Sequence, residues 1–207
     1  CHPAIVSAIQ NQAETLLHVS NLYHIEPQSQ LAEQLTSLCF AQKFFFCNSG
    51  TEAIESAIKL ARKFSFDQGH TDRTEIITMH NSFHGRSMGA LSATAQKKFH
   101  TGFQPLLPGF KYVPFNNIPA VKKAISKKTC AILVEPVQGE GGVNIPDPSY
   151  LKNLKSLCKK NNLLLIFDEV QTGFGRSGKL FAHELFNTKP DIMTLAKALG
   201  GGMAIGA

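Results

Sequence analysis

The stretch Leu163-Leu164-Leu165-Ile166-Phe167-Asp168 places five consecutive apolar residues directly before a carboxylate. An earlier stretch, Cys130-Ala131-Ile132-Leu133-Val134-Glu135, repeats the same arrangement. Strands that are buried on both faces lack the alternation of apolar and polar residues that marks a half-exposed strand. Both stretches therefore predict central strands of a parallel sheet, each with an acidic residue at its carboxyl end.

On either side of these two stretches, segments with apolar residues at helical spacing alternate along the chain with further short apolar runs. The spacing predicts helices over 28–39, 51–66 and 118–126, and a fourth helix that begins after a cap at Asp147 or Ser149 and runs through Cys158. Further strands are predicted over 43–47, 75–79, 111–115 and 192–195. This order predicts an α/β fold with a mostly parallel central sheet and helices on both faces.

The composition excludes several classes of protein. Of the 207 residues 43% are hydrophobic and 17% charged, which is typical of a globular chain rather than a disordered one. No apolar run reaches the roughly 18 residues of a membrane span, so we expect no membrane partner. The five cysteines are scattered and form no Cys-x-x-Cys, which predicts a reducing compartment such as the cytoplasm. The net charge of +6 comes largely from lysines at 122–128 and 155–160, which favour solvated helix faces over a nucleic-acid partner.

Three features lie where parallel sheets bind ligands, beyond the carboxyl ends of the strands. Asp168 follows a buried run and needs a cation or hydrogen-bond donors, although it could simply cap the next element. Lys197 follows the apolar residues 193–195 and could serve as a nucleophilic amine, or extend its amine to solvent along an apolar surface. The turn Asn48-Ser49-Gly50-Thr51 before a helix could bind an anion or form an ordinary helix cap.

Two other motifs are weaker. Gly173-Phe174-Gly175-Arg176-Ser177-Gly178 matches the dinucleotide pattern G-x-G-x-x-G, but it begins too far beyond the strand for the tight first turn of an oxidoreductase site. His80 and His84 are four residues apart in a segment predicted to be a loop, and no His-Glu-x-x-His motif occurs, so no metal site is expected.

Taken together, the phosphate-binding turn, the acid at a strand end and the lysine meet the needs of pyridoxal 5'-phosphate. The chain also closely resembles the class III (ornithine-type) aminotransferases of fold type I along its whole length. Six motifs in order carry this resemblance, and they lie at 18–23, 46–53, 81–86, 135–142, 167–173 and 195–202.

The resemblance implies a role for each matching residue. Lys197 would hold the cofactor covalently and move the proton during transfer, and Asp168 would bind the pyridine nitrogen. Gln171 would bind the phenolic oxygen, with Phe83 and Val170 packing on the two ring faces. Gly50 and Thr51, together with Ser49, would bind the phosphate. Arg86 would bind the substrate carboxylate. Glu140 would act as a gate, and Glu135 would support the site.

The resemblance also implies an activity. The expected substrates are N-acetylornithine and 2-oxoglutarate, with glutamate as a product, in arginine biosynthesis. The context of His18 and the stretch Asn21-Leu22-Tyr23 favour N-acetylornithine over succinylornithine, ornithine or 4-aminobutyrate. A homodimer is expected. Residues 1–207 would form part of the large cofactor-binding domain, without its N-terminal segment and the C-terminal small domain. A non-catalytic chain that keeps the fold is the remaining alternative.

Overall fold

The computed structural model describes residues 1–20 and 22–207, which divide into two compact units, Cys1–Phe45 and Phe46–Ala207. The first unit contains helices α1 (Pro3–Thr15) and α2 (Glu26–Leu38). Helix α1 begins with a proline, which suits a first turn whose N–H groups lack intrahelical partners, and the His2 side chain accepts from the Ala4 N–H. None of its residues is buried within the described part of the chain.

The second unit is built on five strands: β1 (Glu75–Met79), β2 (Phe110–Val113), β3 (Thr129–Val134), β4 (Leu164–Asp168) and β5 (Ile192–Thr194). All neighbouring strands are parallel, in the order β2-β1-β3-β4-β5. The strand order therefore changes direction between β1 and β3, and open α/β sheets bind their ligands at the carboxyl ends beside such a point.

Helices cover both faces of this sheet. The two long ones are α3 (Gly50–Asp67) and α7 (Tyr150–Asn161), and the short ones are α4 (Met88–Ala93), α5 (Lys97–His100), α6 (Ile118–Ala124) and α8 (Ala182–Leu185). Successive residues of β3 alternate between two apolar clusters. Ala131 and Leu133 pack with α3 and α4, whereas Ile132 and Val134 pack with α6 and α7. The predicted α/β class with a covered parallel sheet is confirmed.

Two of the predicted features differ from the structure. The strand expected over 43–47 is wrong, because only Cys47 forms a bridge, an antiparallel one with Gly206, and residues 43–46 lie outside the strands. An apolar run alone does not determine whether a segment joins a sheet. The cap of α7 also differs: Ser149 occupies the cap position without a side-chain hydrogen bond, and Asp147 contributes its backbone carbonyl to the Tyr150 N–H. No helix in the described part of the chain is long and apolar enough to cross a membrane.

Candidate active site

A cavity of about 530 Å³ opens at the carboxyl edge of the sheet, within the unit Phe46–Ala207. Its walls come from the segments that follow β1, β3, β4 and β5, together with the first turn of α3. All the residues predicted for the site line this one cavity: Gly50, Thr51, Phe83, Arg86, Glu140, Asp168, Val170, Gln171 and Lys197. Ser49 and Glu135 line it as well.

The first turn of α3 forms an anion-binding position. Ser49 is the cap residue, and its hydroxyl accepts from the Glu52 N–H at 3.3 Å. The Glu52 carboxylate in turn accepts from the Asn48 N–H at 2.6 Å. The N–H groups of Gly50 and Thr51 have no intrahelical carbonyl to bond and lie at the positive end of the helix dipole. Capping by Ser49 and anion binding are thus compatible, since they use different N–H groups.

Gly50 allows this turn to lie close to two other walls of the cavity. A Cβ at this position would lie 2.9 Å from Val170 Cγ1 and 3.3 Å from the Cβ of Ala196. Contacts this short require the neighbouring atoms to move. The absence of a side chain at Gly50 therefore brings the anion-binding turn next to Val170 and next to the residue that precedes Lys197.

Asp168 and His84 form a buried pair behind the cavity. The Asp168 carboxylate lies 2.8 Å from His84 Nδ1, and both residues are at least 95% buried. Its other oxygen accepts from the Val170 N–H at 3.0 Å and from the Thr194 hydroxyl at 3.4 Å. A carboxylate beside Nδ1 favours the proton on that nitrogen, and His84 Nε2 has no hydrogen-bond partner among the described residues. This contact was not predicted from the sequence, where His84 was weighed only as a metal ligand.

Two further glutamates are buried near the site. The pKa of Glu135 is raised to about 7, mainly by burial and to a smaller extent by the charge of Asp168, against the lowering effect of His84 and of the N–H groups of Phe83 and Gly139. Burial likewise raises the pKa of Glu169 to about 7.

The Glu169 carboxylate accepts from the N–H groups of Ala182 and His183 at 2.6 and 2.8 Å. These bonds anchor the loop that begins with Val170 and Gln171. Glu169 was not predicted as part of the site, because its partners lie more than ten residues away.

The segment after β1 carries Phe83 and Arg86. The Phe83 N–H donates to the Glu135 carboxylate at 3.3 Å, and the Phe83 ring meets Phe99 edge-on at a centroid distance of 5.4 Å. The exposed Arg86 guanidinium lies 5.9 Å from the centroid of the same Phe99 ring. An exposed guanidinium at the rim of a cavity is suited to bind a carboxylate through two parallel hydrogen bonds.

Gln171 and Glu140 are in direct contact. The Gln171 side-chain amide donates to the Glu140 carboxylate at 3.2 Å. A Cβ at Gly139 would lie only 1.5 Å from the Gln171 side-chain oxygen, so the glutamine occupies the space that a side chain would fill. Gly139 therefore permits the position of Gln171 at the cavity wall.

Lys197 begins a short 3₁₀ turn, Lys197–Gly200, and is exposed to the cavity although Leu195 and Ala196 before it are buried. Its φ of +45° lies in the left-handed region, which residues other than glycine rarely adopt. Backbone strain of this kind costs on the order of 1–3 kcal/mol and is concentrated at functional sites. The backbone of Leu195 is held by two hydrogen bonds with Ala207, at 2.8 and 2.9 Å.

The structure also describes the two weaker motifs, the histidine pair His80 and His84 and the glycine-rich segment Gly173–Gly178. No group of three or more His, Cys, Asp or Glu residues in ranges 1–20 and 22–207 could hold a metal ion. The segment Gly173–Gly178 consists of turns and leads only to the four-residue helix α8. Of the stretch that favoured N-acetylornithine, Leu22 and Tyr23 are exposed in the first unit, and Asn21 lies outside the described residues.

Comparison with known proteins identifies relatives over the whole chain. The family model described as aminotransferase class-III matches residues 1–207. An acetylornithine aminotransferase of Methanocaldococcus jannaschii is 56% identical over 207 residues, which are 100% of this chain and 52% of that protein. One of Agrobacterium fabrum is 50% identical over 206 residues, again 100% of this chain and 52% of that protein. The chain thus spans about half the length of these curated relatives.

Solved structures agree with the fold. An ornithine aminotransferase from Toxoplasma gondii ME49 superposes with a TM-score of 0.95 at 34% identity, covering 100% of this chain and 50% of that one. An N-acetylornithine aminotransferase from Stenotrophomonas maltophilia K279a gives 0.84 at 40% identity, covering 99% and 51%. An amine transaminase from an uncultivated Pseudomonas species, whose structure is of the PLP-bound form, gives 0.94 at 30% identity, covering 100% and 53%.

Proposed function

Because the chain belongs to the class III aminotransferases, we propose that the protein carrying it transfers the terminal amine of N-acetylornithine to 2-oxoglutarate. The products are N-acetylglutamate 5-semialdehyde and glutamate, in a step of arginine biosynthesis. Relatives named acetylornithine aminotransferase, 50–56% identical to this chain, support this choice of substrate. The observation that carries the proposal is the single cavity shared by Lys197, Asp168 and the first turn of α3.

The class III family depends on pyridoxal phosphate, and the residues around the cavity fit that group. The first turn of the 18-residue helix α3 presents free N–H groups to a phosphate. The buried Asp168 offers a carboxylate to a ring nitrogen, and the exposed Lys197 offers an amine to an aldehyde. When bound, pyridoxal phosphate supplies a carbonyl that takes up the amine and a ring that accepts the electron pair of the broken C–H bond.

Residues of this chain would hold the cofactor ring and transfer the proton. Asp168, held by His84 Nδ1 and the Val170 N–H, keeps a proton at the ring nitrogen. The Lys197 amine would take the proton from the carbon that bears the substrate amine and, once protonated, would give it as an acid to the carbon that carried the cofactor aldehyde. Phe83 and Val170 would pack on the two faces of the ring, and Gln171 would donate to its phenolic oxygen.

The carboxylates of the two substrates are distinguished at the rim of the cavity. Arg86 binds a substrate carboxylate as a bidentate pair. Glu140 acts as a gate, since its negative charge opposes a second substrate carboxylate unless a cation neutralises it. Exchange of the two substrates at one site then proceeds in two half-reactions, first with the amine donor and then with 2-oxoglutarate.

We infer the setting of the protein from the same relationship. Residues 1–207 form part of the large cofactor-binding domain of a longer protein that works as a homodimer. All five cysteines are free thiols, which is consistent with the cytoplasm.

The test is a kinetic comparison of amine donors, made on the full-length protein that carries this chain. We expect kcat/KM for N-acetylornithine to exceed the values for ornithine, succinylornithine and 4-aminobutyrate, with 2-oxoglutarate as the acceptor. A higher kcat/KM for one of the other three donors would identify that donor as the substrate and would place the protein with another type of class III aminotransferase. Absence of amine transfer to 2-oxoglutarate from all four donors supports the non-catalytic alternative instead.

A further inference from the structure

Glu55 lies one turn after Thr51 on α3 and makes three hydrogen bonds through a single oxygen. Its Oε1 accepts from the Ser87 hydroxyl at 2.6 Å, from the Gly89 N–H at 2.8 Å and from the Ala90 N–H at 3.1 Å. Gly89 lies directly against the carboxylate, because a Cβ there would approach the other oxygen, Oε2, to 2.3 Å. The carboxylate therefore holds the start of α4 on the surface of α3.

Thr51 holds the same segment at a second point. Its hydroxyl lies 2.7 Å from the Ser87 hydroxyl and accepts from the Ser87 N–H at 3.2 Å. Gly85 also lies against Thr51, since a Cβ on Gly85 would come within 2.5 Å of the threonine Oγ1. Residues four apart on a helix share one face, so Thr51 and Glu55 form a continuous attachment for residues 85–90.

Arg86 lies between the two attached residues, Gly85 and Ser87. None of the ion pairs found among residues 1–20 and 22–207 involves its guanidinium. The side chain is exposed, and the place where its guanidinium can meet a carboxylate depends on the position of its backbone. That backbone is set by hydrogen bonds to α3, the helix whose first turn forms the anion-binding position.

We propose that Glu55 is a positioning residue, which sets the distance between the anion-binding turn of α3 and the carboxylate-binding Arg86. This inference rests on the proposed function, because it gives Arg86 a substrate carboxylate to bind. Glu55 itself does not line the cavity and touches neither the cofactor nor the substrate position. Its effect passes through Ser87, Gly89 and Ala90 to the neighbouring guanidinium.

The test measures binding of glutarate, a dicarboxylate without an amine, to the full-length protein loaded with pyridoxal phosphate. Glutarate binding is followed by the change in cofactor absorbance, and the affinity for pyridoxal phosphate is titrated separately. For Glu55→Ala we expect the glutarate Kd and the KM for 2-oxoglutarate to rise on the order of 10-fold, because a displaced guanidinium loses its bidentate geometry. The affinity for pyridoxal phosphate should change by less than about 2-fold, since the N–H groups of the first turn of α3 remain.

Two variants separate positioning from general stability. Glu55→Gln keeps a side-chain oxygen whose two lone pairs can accept two of the three bonds, so its glutarate Kd should stay within about 2-fold of the parent value. Glu75→Ala is the matched control. The Glu75 carboxylate binds Lys111 at 2.7 Å and accepts from the Ser126 hydroxyl at 2.6 Å, at the amino end of β1 and away from the cavity. It should lower the thermal unfolding temperature and leave the glutarate Kd unchanged.

The possible results are distinct. An unchanged glutarate Kd in Glu55→Ala, or an equal rise in Glu75→Ala, overturns the positioning role while the parent protein still transfers amines. If Glu55→Ala does not fold, Ser87→Ala replaces it and should raise the glutarate Kd several-fold, because it loses the hydroxyl that links Glu55 and Thr51. An unchanged Kd in Ser87→Ala overturns the role in that case. Failure of the parent protein to transfer amines overturns the proposed function and this inference with it.

Discussion

Replacement of Glu135 by glutamine should change how the stability of the fold depends on pH. The carboxyl group of Glu135 is 95% buried at the end of β3, and its pKa rises from the ordinary 4.5 to about 7. Between these two values the folded protein keeps a proton on Glu135 that the unfolded chain releases. The contribution of Glu135 to the unfolding free energy is therefore fully present below pH 4.5 and is lost as the pH rises through about 7.

The magnitude follows from the difference in pKa. A gap of about 2.5 pH units, at about 1.36 kcal/mol per unit, corresponds to about 3 kcal/mol of unfolding free energy. About 2.5 kcal/mol of this should be lost between pH 5 and pH 8, where the unfolded carboxyl is already mostly ionised. Glutamine stays neutral at every pH, and its side-chain oxygen can still accept from the Phe83 N–H. The variant should therefore become more stable relative to the parent as the pH rises.

The assay is urea denaturation of the cofactor-free protein at pH 5, 6, 7 and 8, followed by circular dichroism. The cofactor is omitted because a bound ligand adds its own stabilisation. The equally raised pKa of Glu169 affects both proteins alike and cancels in the comparison. Glu33→Gln, at an exposed position of α2, is the control and should follow the parent at every pH. Parallel stability curves for the parent and Glu135→Gln would refute the reasoning.

Three other substitutions test separate parts of the structure. Gly139→Ala should displace Gln171, since the new Cβ would lie 1.5 Å from its side-chain oxygen, and should weaken binding of pyridoxal phosphate about 3- to 10-fold in an absorbance titration. Unchanged affinity would show that Gln171 does not contact the cofactor. Leu133→Ala, at a fully buried position of β3, should lower the unfolding free energy by about 2–5 kcal/mol in urea, and a loss below about 1 kcal/mol would contradict the packing described for that face. Asn162 is the C-cap of α7 and has a φ of +52°, in the left-handed region. Asn162→Ala should therefore lower the unfolding free energy by about 1 kcal/mol in the same experiment, whereas Asn162→Gly should not lower it. Equal stability of the alanine and glycine variants would contradict that explanation.

The central strands could be predicted because each consists of consecutive apolar residues, which indicates burial on both faces of the sheet. Residues 130–134 and 163–167 are apolar without alternation, which only a sheet covered on both faces explains. The strand predicted over 43–47 met the same criterion and was wrong, because an apolar run does not specify which chain segment will pair with it. Helix α1 was not predicted, although Ile5, Ala8 and Ile9 recur at helical spacing in its sequence.

The candidate site could be predicted in part. The predicted site residues belong to motifs whose local order is recognisable, and each of them lines the cavity, which is also lined by residues that were not predicted, such as His84 and 203–205. The residues that hold them in place were missed, because their partners are distant in sequence. His84 meets Asp168 across 84 positions, and Glu55 meets Ser87 across 32. Periodicity describes contacts within one helix or strand, so pairs of this kind require the assembled sheet.

Covalent trapping of the cofactor tests the central claim most directly. The full-length protein is incubated with pyridoxal phosphate, reduced with borohydride and digested, and the labelled peptide is located by mass. We expect a single phosphopyridoxyl group on Lys197, and no label on the corresponding peptide of Lys197→Ala. Label scattered over surface lysines, or none on Lys197, would contradict the assignment of this cavity as the site of amine transfer.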